Sequence, residues 1–192
     1  MMGDVAQILA LTGSDRETIQ ALLGHAARDF RAAGYHVVGV VEEMLPGGTD
    51  VLLRDLVSGA QYKLTQDLGP GSAGCSLDPA GLAAACAGVE EAISALDGAS
   101  AGKGTVVILS KFGRQEAEGR GLTHAFHAAV AAELPILTSV SPVVVAAWEG
   151  FAGELSSFAP VEPEAVTGWR ERLGGADAVL ETEQIPLERR AG

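Results

Sequence analysis

The sequence predicts an α/β domain built on a mainly parallel β-sheet, with a β-hairpin annexed to that sheet. Residues 5–41 have the pattern strand, helix, strand, which implies two parallel strands joined by a right-handed crossover. Two short apolar segments, 51–56 and 61–65, flank a Ser-Gly turn and predict the hairpin. From Pro79 onward helical and strand patterns alternate, which is typical of an α/β fold.

The opening strand-helix-strand unit is predicted from local signals. Val5–Leu11 is a short apolar run that predicts a buried strand. From Asp15 the apolar residues recur at helical spacing, with Ser14 or Asp15 as the N-cap. Gly34 stands where a helix of this length should end, and Val37–Val41 predicts the second strand.

The second half of the chain repeats the alternation. Asp78 and Pro79 are a typical helix start, and that helix should run to about Leu96. Thr105–Leu109 is the most apolar, β-branched segment, so we expect it to be the central strand. The remaining predicted elements are a loop over Ser110–Gly121, a helix over Leu122–Glu133, a strand over Pro135–Val140, a helix near Val143–Phe151, and a tail from Pro160 with one short helix around Trp169.

Composition favours one globular domain over residues 1–192. A hydrophobic content of 47% with 20% charged residues excludes a disordered chain. A net charge of −12 repels phosphate backbones and anionic membrane surfaces, so nucleic acid and membrane are not expected partners. No signal peptide or spanning apolar run is visible, and Cys75 and Cys86 lack CxxC spacing. We therefore expect a cytoplasmic protein with reduced thiols.

Three loops are predicted to meet at one edge of the sheet, because ligands of open α/β sheets bind outside the carboxyl ends of the strands. They are Thr12–Asp15, Gln66–Asp78 and Ser110–Gly121. We predict no catalytic residue and no metal ligand among them, but a ligand-binding set. Its members are Thr12, Gly13, Ser14, Gln66, Asp67, Gly69, Gly71, Ser72, Cys75, Ser76, Ser110, Lys111, Arg114, Glu116 and Arg120.

The third loop concentrates positive charge. Lys111, Arg114 and Arg120 lie within ten residues of a chain that has only 13 lysines and arginines. An anion could be held there by Lys111 together with backbone N–H groups. The alternative is a local surface network in which the two arginines pair with Glu116 and Glu118.

The second loop offers uncharged donors. Its glycines, Ser72 and Ser76 provide N–H and O–H groups that suit a tetrahedral oxyanion. The alternative is a flexible connection without a ligand. Cys75 is expected to be a small packed residue rather than a nucleophile.

Two histidines, His124 and His127, lie one helical turn apart. They could share a metal site if Glu116 or Glu118 supplied a third ligand. The alternative is that both are surface residues of an alanine-rich helix.

Two motifs carry a resemblance to known families. The strand and loop from Val106 to Glu116 resemble the small bacterial and archaeal nucleoside triphosphatases of the P-loop class, in which this loop reads approximately D-E-[IV]-G-x-x-E. More closely, Gln66–Asp78 and Ser110–Leu122 resemble the Q-D-L-G-x-G-x-x-G-C-x-L-D and [NS]-K-F-G-x-x-E-A-E-G-x-G-L loops of a bacterial family of uncharacterised proteins related to them. The resemblance implies a three-layer P-loop-NTPase-like domain. Members are often encoded beside molybdenum-transport genes, which implies molybdenum handling, with molybdate or another oxyanion as ligand.

The sequence departs from that class at the residues that perform catalysis. A P-loop has the pattern G-x-x-x-x-G-K-[ST], because backbone N–H groups and the lysine hold the phosphates while Ser/Thr binds magnesium. After the first strand this chain has no second glycine and no lysine, and Asp15 and Glu17 stand where polyphosphate would bind. Ser110 and Lys111 replace the acidic pair that would hold magnesium and orient water.

The function that best fits these observations is non-hydrolytic. We expect a binding or accessory protein on a degenerate P-loop NTPase fold, with a molybdate-like or phosphate-like oxyanion, or a nucleotide, as its ligand. One alternative is an active nucleoside triphosphatase in which Lys111 replaces the missing lysine and Asp67 or Glu116 serves the metal. Another is a protein-interaction module. A homo-oligomer also stays open.

Overall fold

The computed structural model describes residues 6–44, 51–64, 78–96 and 104–183, with the side chains of the last helix up to residue 175. The strands are β1 (Ile8–Thr12), β2 (His36–Met44), β3 (Val51–Asp55), β4 (Gln61–Lys63), β5 (Thr105–Leu109), β6 (Ile136–Ser139) and β7 (Ser156–Pro160). The helices are α1 (Arg16–Ala32), α2 (Pro79–Ser94), α3 (Arg114–Ala117), α4 (Thr123–Ala131), α5 (Val145–Ala152) and α6 (Pro163–Glu183). Two 3₁₀ turns cover Pro142–Val144 and Gly153–Leu155.

The sheet has the predicted mixed topology. The described strands form one seven-stranded sheet in the order β4-β3-β2-β5-β6-β1-β7. Strands β2, β5, β6, β1 and β7 are parallel to their neighbours in that series, whereas the β3–β4 hairpin adds antiparallel to β2 at one edge. All five residues of β5 are buried at the centre of the sheet, so the prediction of a central strand over Thr105–Leu109 is confirmed.

Helices cover both faces of the sheet and produce three layers. Alternate strand residues point to opposite faces, so Val38 and Val107 pack with α2, α4 and α5, whereas Val37 and Val106 pack with α1 and α6. Because parallel strands are covered on both sides, they are continuously apolar rather than alternating. The three-layer α/β architecture that the motifs implied is therefore confirmed.

Helix α1 begins and ends where its sequence signals place it. The Asp15 carboxylate accepts the N–H of Thr18 at 2.9 Å and its hydroxyl at 2.7 Å, which satisfies one of the free donors of the first turn. Gly34 has φ +92° and donates its N–H to the Arg31 carbonyl. This left-handed residue turns the chain into β2.

The tail differs from its prediction. Instead of one short helix after Pro160, the structure has an edge strand, β7, and the 21-residue helix α6. Strand β7 was missed because only Ala159 of its five residues is buried, so it lacks an apolar pattern. Trp169 anchors α6, since its indole N–H donates to the Ala6 carbonyl at 2.9 Å and its ring packs edge-on against Phe30.

No helix in the described residues has the length and apolarity to span a bilayer.

Within the sheet, β2 approaches β5 unusually closely at Gly39. Its φ is +126°, and a Cβ there would lie 1.9 Å from the Ile108 carbonyl oxygen. Only glycine fits this contact without a shift of the backbone.

We expect Gly39→Ala to destabilise the fold by about 3–5 kcal/mol, because it adds overpacking to a strained φ. The matched control is Gly24→Ala in α1, where a Cβ would meet nothing within 4 Å. That change should be neutral or stabilise by about 0.5–1 kcal/mol. Urea unfolding of both variants measures the difference, and equal free energies of unfolding would contradict the close contact.

Candidate functional site

A cavity of about 350 Å³ opens at the carboxyl edge of the sheet, where β2, β5 and β6 end. This is within the range of about 300–1,000 Å³ usual for small-ligand pockets. Its wall combines leucines with polar and charged groups. The lining residues are Glu42, Leu53, Leu64, Leu82, Ser110, Lys111, Gly113, Arg114, Gln115, Glu116, Leu122, Ser141 and Val143.

One buried charge in this wall is the carboxylate of Glu42, near the end of β2. Its side chain is 5% exposed, and its two oxygens contact different cations. Oε2 accepts from the Arg16 Nε at 2.5 Å, and Oε1 lies 3.6 Å from the Lys111 Nζ. Both cations are about half exposed, at 50% and 44%. The predicted site lysine is therefore present at the cavity and is held by an internal carboxylate.

The backbone around this ion-pair cluster is fixed by side-chain hydrogen bonds. Gln20 of α1 accepts the Glu42 N–H and donates to the Ser110 carbonyl, each at 2.9 Å. The Ser139 hydroxyl donates to the same Ser110 carbonyl at 3.0 Å. Three strand ends are thus tied together by two polar side chains, which limits how far the cavity wall can move.

Glu116 has a structural task in the loop after β5. Its buried carboxylate accepts the N–H of Gly113 and the N–H of Leu122, both at 2.9 Å. Gly121 sits so close that a Cβ there would be 2.1 Å from the Glu116 Oε1. With both oxygens engaged in closing the loop, the idea that Glu116 serves a metal, alone or with the histidines, loses its basis.

The predicted cluster of three cations is divided between two places. Lys111 and Arg114 line the 350 Å³ cavity, whereas Arg120 lines a neighbouring one and pairs with Glu118 at the surface. The expected Arg114–Glu116 pair does not form, because the Glu116 carboxylate is taken by backbone donors. Arg114 forms no ion pair within the described ranges.

The loop after β1 does not reach the cavity. Thr12, Gly13 and Ser14 are absent from its lining. Hydrogen bonds from Thr18 lower the pKa of the Asp15 carboxyl, first from its backbone N–H and then from its hydroxyl. An ionised carboxylate thus caps the first turn of α1, which is the position where a P-loop would bind phosphate.

Most of the predicted glycine-rich loop lies outside the described residues. This applies to Gln66, Asp67, Gly69, Gly71, Ser72, Cys75 and Ser76. Its described flanks meet at the cavity: the Asp78 N–H donates to the Leu64 carbonyl at 2.7 Å, and Leu64 lines the wall.

A second cavity of about 380 Å³ adjoins the first, and both include Leu82 and Gln115 in their walls. Its lining also contains Cys86, Glu90 and His124. Burial is the main cause that raises the pKa of the Cys86 thiol, so this group stays protonated and is a poor nucleophile.

The two histidines of α4 do not converge on a metal site. His124 Nδ1 lies 4.0 Å from Glu90, and the His127 ring packs edge-on against Phe151. Among the described residues no group of three His, Cys, Asp or Glu side chains could hold a metal ion. Neither of the expected third ligands, Glu116 or Glu118, contacts them.

Four polar residues in or beside the cavity wall were missed by the sequence analysis: Glu42, Arg16, Gln115 and Ser141. Glu42 had a usable signal, since it follows the apolar run of β2 at the carboxyl end of a parallel strand. Its partners could not be found in this way, because Arg16 and Lys111 are 26 and 69 positions away in the chain.

Comparison with known proteins gives three findings. The chain is 31% identical over 170 residues to the molybdenum import ATP-binding protein ModC 2 of Bradyrhizobium diazoefficiens, a match that covers 86% of this chain but spans only 18% of that protein. In fold it is similar to a human cancer-related nucleoside triphosphatase (TM-score 0.56, 16% identity, 95% and 97% of the two chains). It is likewise similar to THEP1 from Aquifex aeolicus (TM-score 0.52, 13% identity, 95% and 98%). Residues 8–169, which include the whole cavity wall, match the family described as "Protein of unknown function (DUF2478)", and the chain therefore belongs to that family.

Proposed function

We propose that this protein binds a small oxyanion, without hydrolysing a nucleotide, in the 350 Å³ cavity beside Lys111. The observation that carries the proposal is the balance of charge in the cavity wall and immediately beside it. Lys111, Arg114 and the adjoining Arg16 face two carboxylates, Glu42 and Glu116, both of which already have hydrogen-bond or ion-pair partners. The wall itself holds two of these cations, Lys111 and Arg114, and both carboxylates. The excess of one positive charge in this group therefore comes from Arg16, which lies outside the wall and pairs with Glu42, in a chain whose net charge is −12.

Such a local reversal of sign is what an anion needs to approach an acidic protein. The backbone at the carboxyl edge of β5 also favours an anion, because Gly113 and Ser110 line the cavity and have no large side chains. The Lys111 side chain is 44% exposed, so its ammonium group stays partly hydrated in the ligand-free protein. An ammonium of this kind is a flexible donor well suited to tetrahedral oxyanions.

Loss of hydrolysis is the second half of the proposal. In the P-loop position the chain has an acidic cap, Asp15, instead of a lysine. After β5 it has Ser110 and Lys111 instead of an acidic pair, and the nearby Glu116 is engaged by backbone N–H groups. Within the described residues, magnesium and polyphosphate would thus meet neither the P-loop lysine nor the acidic pair that usually hold them.

Molybdate is the oxyanion we put first. The support is the relative whose name describes a molybdenum import ATP-binding protein, although this chain corresponds to only 18% of its length. We propose on this ground that the domain takes part in molybdenum handling as an accessory to import.

A second candidate ligand is a larger phosphorylated molecule, such as a nucleotide. The second cavity favours it, because about 380 Å³ adjoins the anion site across Leu82 and Gln115. A thermal-shift screen with molybdate, tungstate, phosphate, ATP and GTP separates the two candidates. A ligand of the native state raises the melting temperature by mass action, so we expect molybdate and tungstate to give larger shifts than ATP or GTP.

Lys111→Ala should fold normally and lose molybdate affinity by about 1.5–3 kcal/mol, the contribution of a hydrogen bond to a charged group. Calorimetric titration measures this loss. Arg54→Ala is the matched control, because it removes the same charge from a surface pair with Glu43. If wild type binds no oxyanion, or Lys111→Ala binds as well as wild type, the proposed site is wrong.

We further expect no significant ATP or GTP hydrolysis with magnesium, for the reasons given for Asp15, Ser110 and Glu116. Phosphate release is the measurement. A magnesium-dependent turnover in the enzyme range of about 1–100 per second that disappears in Lys111→Ala would overturn the non-hydrolytic assignment.

A further inference from the structure

We infer that Glu42 is an internal anion that competes with the ligand for Lys111, and so holds the oxyanion site at low affinity. The inference rests on the proposed function. It adds the residue that sets how tightly the site binds and how readily it releases.

The exposed fractions of the three side chains show which of them depends most on the ion pairs. The Glu42 side chain is 5% exposed, whereas Arg16 and Lys111 are 50% and 44% exposed. A buried carboxylate without a partner is costly, but a half-exposed ammonium or guanidinium can be solvated by water. Glu42 therefore depends on its cations more than they depend on Glu42, and each cation can move.

The two contacts are also unequal. Glu42 Oε2 is 2.5 Å from the Arg16 Nε, whereas Oε1 is 3.6 Å from the Lys111 Nζ, beyond an ordinary hydrogen bond. A ligand that draws Lys111 into the cavity would still leave Glu42 with Arg16. Arg16 itself is not part of the 350 Å³ wall. Lys111 can therefore move from Glu42 to a bound oxyanion while Arg16 stays paired with Glu42.

The consequence is weak, reversible binding. While Glu42 stays near the cavity, its charge offsets one of the cations that attract the ligand, and the loss in interaction energy scales with the ligand's charge. A site of this kind suits a protein that passes an oxyanion on rather than one that stores it.

Glu42→Gln tests the inference, because it removes the charge and keeps the shape. Molybdate and perrhenate are tetrahedral ions of similar size with two and one negative charges. Calorimetric titration should show molybdate affinity at least about tenfold higher than in wild type, and perrhenate affinity about threefold higher, since the electrostatic gain is proportional to ligand charge. Glu43→Gln is the control: it is the next residue, 39% exposed and paired with Arg54, and it should change either affinity by less than about twofold.

Arg16→Gln provides an independent arm if Glu42→Gln proves unstable in thermal unfolding. It leaves Glu42 dependent on Lys111 alone and should lower molybdate affinity by about tenfold. The double variant Arg16→Gln/Glu42→Gln should regain at least the wild-type affinity. A double variant that stays as weak as Arg16→Gln would mean that Arg16 contacts the ligand itself and would overturn the inference.

The other outcomes separate the inference from the function on which it rests. If wild type binds molybdate and Glu42→Gln binds it equally or more weakly, the inference is wrong and the proposed function stands. If both ions gain equally, shape rather than charge has changed, and the inference is again wrong. If neither protein binds, both are wrong. If only Glu42→Gln binds measurably, the inference is supported and oxyanion binding by the wild-type protein is not.

Discussion

The need to pair the buried carboxylate of Glu42 determines how the cavity wall is arranged. A charge that is 95% buried must be paired, and here its partners come from the start of α1 and from the turn after β5. Gln20 and Ser139 fix the backbone beneath them. The charged pairs and these hydrogen bonds together place Lys111 at the edge of the sheet, beside a cavity that four leucines make partly apolar.

Two further carboxylates of the described residues near this edge have structural contacts. Asp15 caps a helix and Glu116 closes a loop, so each carboxylate stabilises structure at a place where a nucleoside triphosphatase needs phosphate or metal contacts. The likeness to two nucleoside triphosphatases, at 16% and 13% identity, concerns the fold alone. Function has to be argued from the site. In this cavity wall, the groups that remain to bind a ligand are the cations Lys111 and Arg114.

Local signals in the sequence predicted most of the fold. The carboxylate of Asp78 caps α2 through the N–H groups of Ala80 and Gly81, as the Asp-Pro start indicated, and the β-branched run of β5 lies at the centre of the sheet. Strand β7 escaped prediction because it pairs with β1 through backbone bonds and buries a single side chain. Its place is set by tertiary contact and not by its own pattern.

The site could be predicted only where a residue's position in the chain fixes its position in the fold. Lys111 follows the central strand and therefore had to lie at the carboxyl edge. Arg120, nine positions later, had no such constraint, and the turn through Gly119 and Gly121, both at positive φ, carries it to the neighbouring cavity. Glu42 was missed because a single sequence does not reveal which distant cations approach it.

The most direct test of the account is an NMR titration of the ¹⁵N-labelled protein with molybdate, which reports where the ion binds. We expect the largest shifts at the backbone amides of Ser110, Lys111 and Gly113, with little change at Gly13 and Thr18. Shifts centred on the first turn of α1 would place the anion at the old P-loop position and contradict the account. So would a titration that leaves every amide of the cavity wall unchanged.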